Sequence, residues 1–299
     1  MATVLCAVVT VLAWGSWIGL AQYAGEADAH LKTVYVTAGG LAFALIAPAV
    51  LGRPGAGDLR FTLAAWWIPF LGGVIWALGN VCALSAAGRL GIARAAAVWT
   101  SLNIALAVVW GAALFGEFSR LGPARLALNA VVLLGVIGGL VLVTMAKDDG
   151  EVRAWASGGL AAAVGAGVLW GSYFVPVQAS GVSPWVANIP LAAGMVVGSV
   201  ALLLTPGRPH RLRPAHRRAY AVLPAAGALW GVGNVAMLLL VQDVGAGRGF
   251  TVAQLGLVVN ALVGIYLYNE PKPGTRAARI TLCGVALATA AGVLFGTFS

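Results

Sequence analysis

The chain has 299 residues, of which 61% are hydrophobic and only 9% charged. A soluble domain carries roughly 25% charged residues, so this composition excludes a soluble fold and makes the lipid bilayer the chain's surroundings. The excess of 18 basic over 9 acidic residues falls between apolar runs, where cytoplasmic loops collect Lys and Arg; with no basic stripe or nucleic-acid motif beside it, no nucleic-acid partner is expected.

Apolar runs of about 20 residues cross a bilayer as helices, and the chain reads as ten of them. The first, 2–22, carries Trp14-Gly15-Ser16-Trp17 and lacks the basic leader of a signal peptide, so it is expected to remain as a span. The second, 32–51, contains Pro48, and the third, 64–86, contains Trp76-Ala77-Leu78-Gly79-Asn80. The fourth, 93–115, opens on Arg94 and is followed by Gly116-Glu117; the fifth, 124–146, holds Gly135, Gly138 and Gly139. A charged hinge, Lys147–Arg153, follows. The sixth run, 157–178, carries Trp170-Gly171-Ser172-Tyr173 and then Pro176, which removes a backbone donor and can kink a helix. The seventh, 185–204, leads into a basic loop, Pro206–Arg218, with five arginines and two histidines. The eighth, 219–241, holds Trp230-Gly231-Val232-Gly233-Asn234 and is followed by Asp243. The ninth, 250–268, lies between Arg248 and Glu270 and is made polar by Gln254 and Asn260, and the tenth is 277–297. Small residues at three- and four-residue spacing let such helices approach closely.

The chain contains one stretch twice. At an offset of 154, Trp76, Gly79, Asn80, Val81, Leu84, Gly91, Arg94 and Val98 meet Trp230, Gly233, Asn234, Val235, Leu238, Gly245, Arg248 and Val252; at 156, Trp14-Gly15-Ser16 meets Trp170-Gly171-Ser172. Two repeats are therefore expected, 1–148 and 149–299. Five spans per repeat is an odd number, so the second copy enters the membrane from the opposite face. The expected fold is an all-α integral membrane protein of ten transmembrane helices in two inverted five-helix repeats, a common plan for secondary transporters with the solute held at the repeat interface.

Polar side chains within spans carry the functional information. Asn80 and Asn234 each follow a Trp by four positions and share a helical face with it. A carboxamide both donates and accepts, and an indole offers an apolar plate, which together suit a neutral solute rich in hydroxyls. Hydrogen bonding between helices is the other use open to these asparagines. Ser16 and Ser172 form a second pair, with bonding to their own helix as the alternative; Gln254 is a further polar candidate. Trp14, Trp76, Trp170 and Trp230 would form apolar walls. Arg94 and Arg248, at symmetric span starts, are candidate gates as well as snorkelling residues. All nine acidic residues fall in loops or at span ends, leaving Asp243, Glu117 and Glu270 as candidate coupling groups. Cys6, Cys82 and Cys283 have no metal-ligand spacing, and HExxH, GxSxG and Walker motifs are missing. No metal, cofactor or catalytic set is expected, which weakens the rival class, a membrane enzyme or accessory subunit.

Ten spans in two halves, with Phe115-Gly116-Glu117 and Tyr268-Asn269-Glu270 closing corresponding helices, resemble the drug/metabolite transporter superfamily. Within it, Trp14-Gly15-Ser16, Trp76 to Asn80, Gly91-Ile92-Ala93-Arg94, Leu229 to Asn234, Gln254-Leu255-Gly256 and Glu270-Pro271-Lys272 are similar to the bacterial glucose/ribose porter family. The resemblance implies uptake of a monosaccharide by alternating access. Movement of an amphipathic amine, nucleobase or ureide is the alternative within the class. Ala-, Gly- and Arg-rich usage implies a bacterial plasma membrane. Counting basic residues by side places five with the termini and 13 opposite, so the termini are expected outside. Association into a homodimer is left open.

Overall fold

A computed structural model describes residues 2–116, 158–205 and 213–298, together with scattered positions between 122 and 139. The expected fifth span lies largely outside the described residues, as do Glu117 and the expected repeat boundary at 148–149. All regular structure among the described residues is helical: α1 Ala2–Tyr23, α2 Ala29–Val50, α3 Ile68–Leu90, α4 Ile92–Phe115, α5 Leu160–Trp170, α6 Phe174–Ala179, α7 Pro184–Leu203, α8 Ala219–Val244, α9 Ala246–Ala253, α10 Gly256–Leu262 and α11 Arg276–Phe298. Short π-helical turns precede α3, at Leu63–Trp67, and follow α10, at Val263–Leu267. Eight of the resulting helical stretches are long and apolar enough to cross a membrane. In addition, α11 covers the tenth predicted run.

Local chemistry sets the ends. The Asp28 carboxylate accepts from the backbone of His30 and Leu31 and caps α2. Pro184 begins α7, where its missing amide costs nothing. One glycine joins α3 to α4 and another joins α8 to α9: Gly91 at φ 78° and Gly245 at φ 93°, a backbone that a side chain would strain.

The sixth and ninth runs, expected as continuous spans, are both broken. Between α5 and α6 the chain tightens at Gly171–Tyr173, one turn before Pro176, whose ring would collide with the carbonyl of Ser172 in an unbroken helix. Between α9 and α10 the break falls at Gln254–Leu255, where Leu255 N bonds Val252 O and Leu257 N bonds Gln254 O in three-residue turns. Broken helices are tolerated at membrane depth where they line a cavity.

Helices pack mainly across the two copies. Helix α3 lies against α5 and α7, while α8 lies against α1 and α2. Four glycines make these crossings. A Cβ at Gly39 would overlap the Pro224 carbonyl, and one at Gly227 the Val36 carbonyl; at the corresponding crossing, Gly194 meets the Phe70 carbonyl and Gly73 the Leu191 carbonyl. The close backbone approach replaces the hydrophobic drive that lipid does not supply. At one end of the molecule, the α1–α2 loop is tied to the segment before α8: Glu26 accepts from the Ala215 amide at 2.9 Å, and Arg218 donates to the Ala24 carbonyl at 3.2 Å.

Candidate functional site

The two helix breaks border a cavity between the helices, a usual place for a small-molecule site. Its walls are aromatic. Trp76 on α3 and Trp230 on α8 meet with ring centroids 4.5 Å apart, and Trp170 at the end of α5 stacks on Trp76 at 5.8 Å. Trp17 touches both Trp76 and Trp170, and Trp99 stands edge-on to Trp170 at 5.6 Å. Phe250 packs edge-on to Trp14 and is backed by Phe174 at 4.4 Å.

Two indoles are seated on glycines that a methyl group would fill. A Cβ at Gly79 would stand 2.6 Å from Cδ1 of Trp170, and one at Gly233 2.5 Å from Cδ1 of Trp14. Trp170 Nε1 also donates to the Trp76 carbonyl at 3.2 Å. Polar groups come from α4 and from the broken α9–α10 span. Asn103 Nδ2 donates to Gln254 Oε1 at 3.1 Å; Asn260 Nδ2 donates to the carbonyls of Trp14 at 3.4 Å and Gly256 at 3.3 Å. Thr100 completes the polar lining, and no charged side chain borders the cavity among the described residues.

Of the predicted solute-binding residues, Trp14, Trp76, Trp170, Trp230 and Gln254 come together in this lining. Asn80 and Asn234 are fully buried but lie behind it. Asn80 Nδ2 donates to Thr33 at 3.0 Å and Asn234 Nδ2 to Asn188 Oδ1 at 2.8 Å, each joining two helices. Asn234 Oδ1 also accepts from the Tyr173 hydroxyl at 2.7 Å, and Tyr173 lines the cavity. Ser16 and Ser172 bond the carbonyls of Leu12 and Val168 one turn back, and neither is in the lining.

Sequence reasoning left the fourth span out of the site, although α4 supplies Trp99, Thr100 and Asn103. A signal was there: Trp99 and Asn103 repeat the four-residue Trp–Asn spacing of Trp76/Asn80 and Trp230/Asn234. Trp17, Tyr173 and Phe250, also unassigned, carried none beyond being aromatic in a span.

An uncharged, tryptophan-walled cavity with amide groups along one border is chemistry for a neutral, hydroxyl-bearing solute. A family described as sugar transport protein matches residues 5–298. The chain belongs to this family. It is 26% identical over 275 residues to a protein of Enterococcus faecalis named for sugar uptake, covering 90% of each chain, and 28% identical over 241 residues to the glucose uptake protein GlcU of Bacillus subtilis, covering 79% of each. A solved crystal structure shares the fold with a TM-score of 0.63 at 21% identity, over 99% of this chain and 98% of that one. Family membership makes the protein a transporter and not an enzyme. With its apolar helices and bacterial relatives, it is a multi-pass protein of the bacterial plasma membrane.

In this sugar transport family member Arg94, Arg248, Asp243 and Glu270, predicted as gating or coupling residues, are not in the cavity lining. Glu270 follows the turn after α10 and reaches the first turn of α4, where its carboxylate accepts from the Ile92 amide and stands near Arg94. A Cβ at Gly91 would meet the Glu270 side chain at 2.7 Å, so the glycine admits the acid. Desolvation raises the Glu270 carboxyl above its ordinary value, and Arg94 and the Ile92 amide pull it back. Asp243, at the end of α8, is exposed and accepts from Thr3 at 3.0 Å. Arg248 lies in the first turn of α9. Three charged residues that sequence reasoning placed at loop or span ends are buried: Lys32 on α2, which donates to Gln22 Oε1 at 2.7 Å, Glu26, and Arg94.

Proposed function

We propose that the protein carries a neutral monosaccharide across the bacterial plasma membrane, binding it in the tryptophan-walled cavity. The observation that carries this reading is the lining itself: indole faces to pack on the C–H faces of a sugar ring, amides to meet its hydroxyls, and no charge to favour an ion. The names of the relatives support it, sugar uptake in Enterococcus and glucose uptake in Bacillus. An amine, the rival solute, would need a counter-charge that this lining lacks. Trp14, Trp76, Trp170, Trp230 and Gln254 contact the sugar; Asn234 acts by orienting Tyr173, and Asn80 by fixing α3 to α2.

Transport proceeds by alternating access between two inverted five-helix halves, 1–148 and 149–299. The matched glycine crossings and the exchange of packing partners between the copies support that plan. Arg94 with Glu270 forms a latch at the start of α4, and Arg248 holds the corresponding position. The termini face outward, so a C-terminal reporter active only in the cytoplasm should stay silent. Purified protein in liposomes should accumulate labelled sugar by counterflow from a panel of D-glucose, D-galactose, D-ribose and D-xylose. Uptake of an amine or a ureide with no response to any sugar overturns the reading.

A further inference from the structure

The cavity-lining side chains carry polar atoms that nothing among the described residues satisfies. Trp14 Nε1, Asn103 Oδ1 and Asn260 Oδ1 are all buried without a hydrogen-bond partner, and all three belong to lining side chains. Asn103 and Asn260 are only 2% and 5% exposed. Their amide nitrogens are already committed, Asn103 to Gln254 and Asn260 to the Trp14 and Gly256 carbonyls. Asn260, which donates to two carbonyls, is thereby fixed with its oxygen left over as an acceptor, and Asn103, as paired with Gln254 Oε1, presents its oxygen likewise. Buried polar atoms are nearly always paired, and three orphans along one cavity call for a ligand that completes them.

Their residues share one lining. Helix α1 approaches α10 so closely at Gly15 that a Cβ there would stand 2.8 Å from the Gly256 carbonyl. The Asn260 amide is brought against the backbone carbonyl of Trp14, whose indole edge lies over Gly233 of α8, and the Asn103–Gln254 bond ties α4 to the same break. Trp76 and Trp170, which supply the indole wall, come from α3 and α5.

We infer that Trp14 Nε1, Asn103 Oδ1 and Asn260 Oδ1 form a hydroxyl-reading edge that recognises one edge of the sugar ring. Two acceptors and one donor require two O–H donors and one oxygen acceptor from the ligand. Adjacent sugar hydroxyls present that set, because each hydroxyl both donates and accepts. An ammonium group offers no acceptor to the indole N–H. A carboxylate offers no donor to either amide oxygen. The edge therefore selects a neutral polyol over charged sugars, and only hydroxyls on that edge contribute; the remainder of the ring packs on indole and tolerates their loss.

This inference rests on the monosaccharide reading, and the test separates the two. Binding is followed through quenching of intrinsic tryptophan fluorescence in detergent, first for the four panel sugars, then for every monodeoxy form of the best binder and for its amino and uronic acid derivatives. Expected are two classes of deoxy sugar: those missing an edge hydroxyl bind about 10–100-fold more weakly, the cost of leaving a buried group unpaired, and the others within about threefold. Asn103→Leu and Asn260→Leu should weaken the parent sugar by the same factor. Each should bind one particular deoxy form no worse than the wild type does, a pairing that general damage to the cavity cannot produce. If no panel sugar binds, the monosaccharide reading fails and the edge with it. If a sugar binds but all its deoxy forms weaken alike, or both leucine variants bind it as the wild type does, the reading stands and the edge is refuted.

Discussion

Gly79→Ala is a one-methyl test of how the cavity wall is held. A Cβ at position 79 would lie 2.6 Å from Cδ1 and 3.0 Å from Nε1 of Trp170. Carbon atoms in good contact are about 3.5 Å apart, so the indole must retreat from α3 by roughly 0.8 Å or more. Trp76, whose carbonyl accepts from Trp170 Nε1 at 3.2 Å, is also on α3. The same retreat therefore lengthens that bond beyond useful range. Overpacking costs about 1–3 kcal/mol and the lost bond about 0.5–1.5 kcal/mol. A total near 2–4 kcal/mol is expected, shared between stability and sugar affinity. Gly88→Ala is the control on the same helix: nothing lies within 4 Å of a Cβ there, so only the gain in helix propensity remains, up to about 1 kcal/mol. Thermal unfolding in detergent and fluorescence titration with sugar report the two shares. If Gly79→Ala matches the wild type in both, Trp170 is not seated on α3 as described, and the wall is softer than its packing implies.

Three further outcomes are expected. Tyr173→Phe and Asn234→Ala should each weaken sugar binding by about 1–3 kcal/mol, and the double variant by little more than either alone, because one hydrogen bond links them; additive losses in binding titrations would refute the positioning role of Asn234. Glu270 has its carboxyl raised in the folded state, chiefly by desolvation, so its contribution to stability is full below the unfolded value, about pH 4.3, and is lost as pH rises through the folded value. The melting temperature of the wild type relative to Glu270→Gln should accordingly fall as pH rises from about 4, and a constant or rising difference contradicts that sign. Counterflow exchange of labelled sugar should run without a pH gradient, and net uptake should respond to one only modestly, since no acidic side chain or histidine borders the cavity among the described residues; collapse of net uptake when the gradient is abolished, with exchange intact, would establish coupling.

Most of the helical layout was legible because lipid imposes it: a run of apolar residues long enough to cross the bilayer has no other stable form. The breaks at Gly171–Tyr173 and Gln254–Leu255 were not, since composition is unchanged across them. Pro176 carried a warning for the first, but the turn precedes the proline because its ring acts on the carbonyl four residues back. Nothing comparable marks the second. Burial of Lys32 and Glu26 was equally hidden, because it depends on how the 24–28 loop meets the segment before α8, a contact between residues nearly 190 positions apart.

What was legible in the site follows from the stretch that the sequence contains twice. Residues that match between the copies are the ones that build it: Gly79 and Gly233 seat indoles, Asn80 and Asn234 tie helices, and Trp76 and Trp230 meet at the centre. A search for matched pairs finds these first, and so it singled out Asn80 and Asn234, which lie behind the cavity. The two lining asparagines fall where the copies disagree: at the offset of 154, Asn103 faces Leu257 and Asn260 faces Leu106, whereas Gln254 and Thr100 face each other and are both polar. On the proposed reading, with the sugar in this cavity, the divergence has a physical reason. A sugar ring is chiral and has no twofold axis, so a lining with matched polar groups on both sides would bind it equally well turned around, and could not read one edge. Packing between the copies profits from symmetry; recognition of an asymmetric solute requires that it be broken. In a doubled chain, the polar residues within spans that have apolar partners in the other copy are therefore the first place to look for specificity.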